Sequence, residues 1–165
     1  MGTFDAARAG RWHEWHGLPA GLSARDAIAE LGRTAAVHRR DGITVHEILG
    51  HELSGGVRVW VRDDVVELVE LDDPVGDPSV VEALGPADVE EPARFGIFGS
   101  ATTEHVWLAR GLVLVTAAAY DHGLPGPPID TTPHLAHAEL FVPVDLERWR
   151  QGPGRWRWQP KPHLH

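Results

Sequence analysis

Residues 56–73, GVRVWVRDDVVELVELDD, constrain the fold more than any other stretch of the chain. Two runs of alternating apolar and polar residues flank Asp63-Asp64, the loop length that β-hairpins favour most. With Arg62 opposite Val65, Val61 faces Val66, Val59 faces Leu68 and Val57 faces Glu70 on one side. Arg58, Trp60 and Arg62 face Val69, Glu67 and Val65 on the other. Strands alternate their side chains, so one face is nearly all aliphatic and the other amphipathic and charged. A lone hairpin is not stable in water, so other elements must cover the aliphatic face.

A chain of 165 residues is long enough for one domain with a real core, or for two small repeats sharing one. With 42% hydrophobic and 24% charged residues, it has the composition of an ordinary soluble globular protein. No apolar run approaches the ~18–20 residues of a membrane helix, and the N-terminus lacks a signal-peptide pattern. The absence of cysteine rules out disulfides, thiolate nucleophiles and thiolate metal sites. A cytoplasmic location is expected.

The distribution of charge says more than the net charge of −9. Residues 63–91 carry eleven acidic residues and no Lys or Arg, while the flanking segments are nearly balanced. That argues against a basic nucleic-acid footprint and points to a solvated acidic belt able to receive a basic partner.

Along the chain, Ser23 is a good N-cap with Asp26 three residues on. Ala27, Ile28 and Leu31 follow at helical spacing, and Gly32 ends the helix. Residues 33–42 are polar and read as a connection, and residues 43–49 as a strand. After Asp73-Pro74 the pattern starts again. Asp77-Pro78 opens a second short helix that ends at Leu84-Gly85, as the first ends at Leu31-Gly32. A strand is expected at 94–98, then a second hairpin at 104–117 turning on Arg110-Gly111. An offset of 47 residues superposes Trp60 on Trp107, with both turns two residues long and both tryptophans on the second face. Residues 134–142 form a last strand that Pro143 ends or holds at an edge. Asp145 caps a final turn holding Leu146 and Trp149. The Arg-, Trp- and Pro-rich residues 151–165 are expected to be a mobile tail.

The expected fold class is therefore α+β: a mainly antiparallel sheet of about seven strands from two tandem helix-strand-hairpin repeats, with short helices on one side. Residues 1–150 form one domain, with repeat one at about 18–73, repeat two at about 76–122 and a closing strand at about 134–142. Two units whose helices end in Leu-Gly before an antiparallel sheet resemble the beta-lactamase inhibitor protein family and the related small outer-membrane assembly lipoproteins. The resemblance covers about residues 18–145 and implies a concave sheet that grips another protein. No inhibitory residue carries over, and the lipoprotein cysteine is absent.

Candidate chemistry is sparse. His46-Glu47-Ile48-Leu49-Gly50-His51 places its histidines five apart, whereas HExxH needs i, i+4 to bring both onto one helix face. His13/His16 and His134/His137 have i, i+3 spacing but lie in a Trp- and Gly-rich entry and on an expected strand. They read as surface or half-buried histidines. Ser23, Ser54 and Ser79 are used in caps and turns, Ser100 lies in no nucleophile elbow, and no glycine run fits a phosphate cradle. Glu104 and Glu139 stand in apolar strands and are the better general-acid candidates, with an Arg partner the simpler account. No metal site and no cofactor are expected.

The expected function is that of a small soluble protein-binding module of inhibitor or immunity type, without catalysis. Its partner is another protein, possibly with a basic surface, not nucleic acid or membrane. The expected binding residues are Arg58, Trp60, Arg62, Glu67, His105 and Trp107, since amphipathic Trp/Arg faces anchor interfaces. The alternatives are an enzyme or small-ligand carrier using His46, His105, His137 or Glu139 in a pocket between sheet and helices, and a subunit of a larger assembly.

Overall fold

A computed structural model describes residues 2–49, 55–92, 100–119, 123 and 125–151. The hairpin forms as β3 (Gly56–Arg62) and β4 (Val65–Asp72). Asp63 and Asp64 take φ of 50° and 62°, the paired left-handed conformation of a tight turn whose twist matches that of the strands. Arg62 pairs with Val65 and Val61 with Val66, as expected.

The register then slips by one at a bulge at Glu67. Trp60 pairs with Leu68, Val59 with Val69, Arg58 with Glu70 and Val57 with Leu71. The expected pairs Val59–Leu68, Val57–Glu70, Arg58–Val69 and Trp60–Glu67 are thus corrected. The apolar residues 66, 69 and 71 do not keep a strict period of two, and straight alternation would set Glu70 among the valines. One extra residue moves Glu70 onto the face of Arg58 and returns Val69 and Leu71 to the aliphatic face.

Among the described residues the sheet has eight strands, not seven, in the order β1-β2-β3-β4-β8-β7-β6-β5, with every neighbouring pair antiparallel. The others are β1 (Arg33–Arg40), β2 (Ile43–Leu49), β5 (Val89–Pro92), β6 (Ser100–Trp107), β7 (Leu112–Ala119) and β8 (His134–Phe141). Two four-stranded meanders therefore meet where β4 pairs with β8. The segment read as a polar connection is β1. An outermost strand is free to be polar because it is paired on only one side. β8 is central rather than an edge, and Pro143 lies beyond its end. The strand expected at 94–98 and the tail from 152 onward lie outside the described residues.

The 47-residue correspondence does not survive. Trp107 pairs with Leu112, so the β6–β7 connection is the four residues 108–111, a 3-10 turn closed by Gly111 at φ 55°. A Cβ at Gly111 would collide with the Phe141 carbonyl, so glycine is required there on two counts. The first hairpin is the third and fourth strands of its meander, the second hairpin the second and third of its own.

Both faces of the sheet are covered. On the first, Val57, Val59, Val66, Val69 and Leu71 pack with Leu112, Leu114 and Leu140 beneath an N-terminal arm and α2 (Ala24–Leu31). The α2 cap forms as expected, with Ser23 Oγ accepting from the Asp26 N–H at 3.1 Å. The arm includes α1 (Asp5–Arg8) and buries Phe4, Trp12 and Trp15. The indole N–H of Trp12 donates to the Val75 carbonyl (2.8 Å), and that of Trp15 to the Gly111 carbonyl (3.3 Å). The second short helix, α3, spans only Val80–Ala83, with Asp77 Oδ1 accepting from the Ser79 N–H at 2.8 Å.

On the second face, Trp60, Leu68, Val106, Val113 and Phe141 pack against Trp149 of α4 (Leu146–Gln151). Asp145 caps α4, accepting from the Arg148 N–H at 2.8 Å. Helices thus lie on both sides of the sheet, not one. Central strands apolar on both faces demand a cover on each.

Candidate functional site

The six residues expected to bind a partner do not share a surface. Arg58, Trp60, Arg62 and Glu67 belong to the β3–β4 ribbon, and Arg62 Nε donates to Glu67 Oε1 at 3.0 Å. Trp107 points to the first face, where its indole N–H donates to the Gly85 carbonyl at 3.2 Å. His105 stacks on Trp107 with ring centroids 6.1 Å apart, and its Nε2 lies 3.3 Å from Thr116 Oγ1. Trp60 packs in the second-face core. The tryptophans retain 8% and 5% of their exposure, so both are core and no open Trp/Arg face exists among the described residues.

The second face instead holds a partly buried ionic cluster at the junction of the two meanders. The register builds it directly: β3–β4 pairs Arg58 with Glu70, and β4–β8 pairs Glu70 with Glu139 and Asp72 with His137. Directly opposed residues in antiparallel strands have their Cβ atoms about 4.5–5.5 Å apart, within reach of one another's polar groups.

Arg58 Nε donates to Glu70 Oε2 at 2.7 Å, and its Nη1 and Nη2 fork onto Asp72 Oδ2 and Oδ1 at 2.8 and 3.0 Å. Trp60 Nε1 donates to the same Glu70 Oε2 at 3.0 Å. On β8, His137 Nδ1 lies 3.1 Å from Asp72 Oδ1, and its Nε2 lies 3.2 Å from Glu139 Oε1 and 3.9 Å from Glu70 Oε1. Glu70 and Glu139 are fully buried, and the His137 side chain is 12% exposed. Glu104 is buried too, opposite Val115, which itself pairs with His137.

The charges of this cluster fix one another. Burial alone would push the Asp72 carboxyl up, but hydrogen bonds from His137 and Arg58 outweigh it and hold the group well below the usual carboxylate range. Burial likewise opposes the Arg58 charge, and the Asp72 and Glu70 carboxylates more than restore it. For His137, burial lowers the pKa, but hydrogen bonds to Asp72 and Glu139 prevail and raise it to about 9. At neutral pH it is an imidazolium that donates from both nitrogens.

Glu70, His137 and Glu139 also present one ligand atom each within 4.8 Å of one another, near enough to converge on a metal ion. His137 and Glu139 stand two apart on one strand and so share a face, a signal legible in sequence. The pairing of β4 with β8, which brings in Glu70 and Asp72, is not.

The other candidates are dispersed. His46 pairs with Val59 of the first face, and its Nδ1 lies 3.3 Å from Thr34 Oγ1. Burial, with repulsion from Arg39, lowers its pKa. His13, His16 and His134 are exposed. His51 and Ser54 lie outside the described residues. His46 and His105 therefore do not join His137 and Glu139, and the four do not line one pocket.

Comparisons with protein families, with characterised proteins and with solved structures find no match to this chain. Among the described residues, no helix is long and apolar enough to cross a membrane.

Proposed function

We propose that this protein is a non-catalytic binding module of inhibitor or immunity type, which receives a basic surface of another protein at the acidic end of its sheet. The observation that carries this reading is how the acidic belt divides. Glu67, Glu70 and Asp72 are taken up by Arg62, Arg58 and His137 on the second face. The rest of the belt includes Asp77, Glu82, Asp88 and Glu90, exposed on and around α3 and the outermost strand β5, in a stretch without Lys or Arg. Clustered charge of one sign at a sheet edge steers a partner of opposite charge and fixes its register.

The saturated hydrogen bonding of His137 supports the non-catalytic part of the reading. The plan of a short helix ending in Leu-Gly before each four-stranded meander supports two tandem repeats, and with them the likeness to the inhibitor family.

The test is capture at low salt from the source lysate, repeated with Glu82→Lys/Glu90→Lys and followed by binding measurements on the purified partner. A partner that binds the wild type in a salt-dependent way and loses affinity for the variant supports the reading. Failure to capture any protein, or a partner indifferent to both charges, sinks it.

A further inference from the structure

We propose that Glu70, His137 and Glu139 bind one divalent transition-metal ion of the zinc class through Glu70 Oε1, His137 Nε2 and Glu139 Oε1. His137 Nε2 lies 3.2 Å from Glu139 Oε1 and 3.9 Å from Glu70 Oε1, and one ligand atom from each residue falls within a 4.8 Å cluster. A tetrahedral ion with bonds of about 2.0–2.1 Å holds its ligand atoms about 3.3–3.4 Å apart, so small side-chain adjustments close the site. One imidazole and two carboxylates suit zinc or cobalt, with a fourth position left for water or a ligand.

The surroundings match those of a metal-bound histidine. Asp72 Oδ1 takes the Nδ1 side of His137 at 3.1 Å, which turns Nε2 toward the two glutamates. A carboxylate behind the ligating histidine is the usual device for fixing its orientation. Asp72 is itself held by the Arg58 fork, while Arg58 Nε and Trp60 Nε1 occupy Glu70 Oε2 and leave Oε1 toward His137. All three ligands sit on adjacent central strands, which are rigid supports. When the ion enters, the His137 Nε2–H bond breaks, a metal–nitrogen bond forms, and the proton leaves to solvent. The oxidation state does not change.

The test uses the full chain, stripped with chelator and dialysed against zinc chloride, with bound metal measured by atomic absorption. One equivalent should be retained, with Glu139→Gln and His137→Gln abolishing retention and Asp72→Asn weakening it about 10–100-fold. His13→Ala/His16→Ala should retain it in full. Cobalt should give the intense visible bands of tetrahedral coordination. No retained zinc, or equal retention by the two glutamine variants, would overturn the site. Should those variants not fold, the 15N shift of His137 Nε2 in the wild type decides. A metal-shifted resonance in zinc supports the site, and a resonance still protonated refutes it.

Discussion

The two faces of this sheet are built from the same eight strands but are held together by different physics. On the first, aliphatic side chains of both meanders pack beneath Phe4, Trp12, Trp15 and α2, and the indole N–H groups of Trp12, Trp15 and Trp107 find backbone carbonyls. Its stability scales with apolar area, roughly 25 cal/mol per Å² removed from water. On the second, an apolar patch around Trp60, Phe141 and Trp149 borders an ionic row in which Glu70 and Glu139 are buried, Arg58 and His137 partly so, and Asp72 half-exposed. There each group depends on a particular partner, because an ion stripped of its counter-charge inside the fold costs more than a lost methyl group. The first face tolerates change of shape, and the second tolerates change only in matched pairs.

The largest expected effect tests the first face. Val59 is fully buried, and Val59→Asp places a carboxylate in an aliphatic layer, opposite His46, whose charged form burial disfavours. The cost is several kcal/mol, enough to unfold a domain whose total stability is on the order of 5–15 kcal/mol. A variant with wild-type circular dichroism and an unchanged urea midpoint would show that this face is not a dry core. On the second face, Arg58→Met leaves Glu70 and Asp72 without their guanidinium, and the expected loss is about 3–5 kcal/mol. Adding Glu70→Leu should recover part of it in urea titrations, since that replacement removes the buried stranded charge while half-exposed Asp72 still pairs with His137. Additive losses in the double variant would mean that Arg58 and Glu70 are not a coupled unit.

The contrast between the faces follows a contrast in what local sequence can tell. The Ser23 cap, the Asp63-Asp64 turn and the Asp145 cap are each decided within a few residues, and each forms as read. The N-terminal arm carries no periodic pattern, because Trp12 and Trp15 are placed by distant carbonyls at Val75 and Gly111 rather than by an amphipathic repeat. β1 is too polar to announce itself, as an outermost strand is free to be. The ionic row needs the contact of Asp72 with His137, 65 residues apart, which depends on how the two meanders dock. The mistaken pairing of Trp60 with Trp107 has the same origin. Both sit in hairpins with similar patterns, but a four-residue turn and a different place in the meander put them on opposite faces.

A smaller effect separates the faces by pH. In metal-free protein, His137 is surrounded by Asp72 and Glu70 on β4, Glu139 on its own strand and, beyond Asp72, Arg58 on β3. Its pKa rises from 6.5 to about 9, so its stabilisation is fully present below about pH 6.5 and is lost as pH rises through about 9. His46 works the other way. Its pKa is lowered from 6.5, so its penalty is absent above that value and grows as pH falls through it. Denaturation midpoints across pH 5–9.5 should therefore fall at the alkaline end in the wild type. The alkaline fall should be blunted in His137→Gln, and the acid loss reduced in His46→Gln. An alkaline fall unchanged in His137→Gln would assign it to another group.

The finest test concerns the residue that lets one strand serve two such different faces. Glu67 is the extra residue of the bulge, lying between Val66, which pairs with Val61, and Leu68, which pairs with Trp60. Removing it joins the two halves of β4 in regular alternation, with Val66, Val69 and Leu71 still on the first face and Leu68 and Glu70 on the second. What is lost is the half-exposed pair with Arg62, worth up to about 1 kcal/mol, together with the extra twist that a bulge supplies. Deletion of Glu67 from a central strand should accordingly leave a folded protein with a modestly lower urea midpoint. Deletion of Val69 also closes the bulge and keeps Val66 and Leu71 on the first face, but it moves Leu68 into the place of Val69 and sets Glu67 opposite Trp60 in the buried place of Leu68, and should be markedly more destabilising. If the two deletions proved equally damaging, the bulge would not be what divides the valines from the charges.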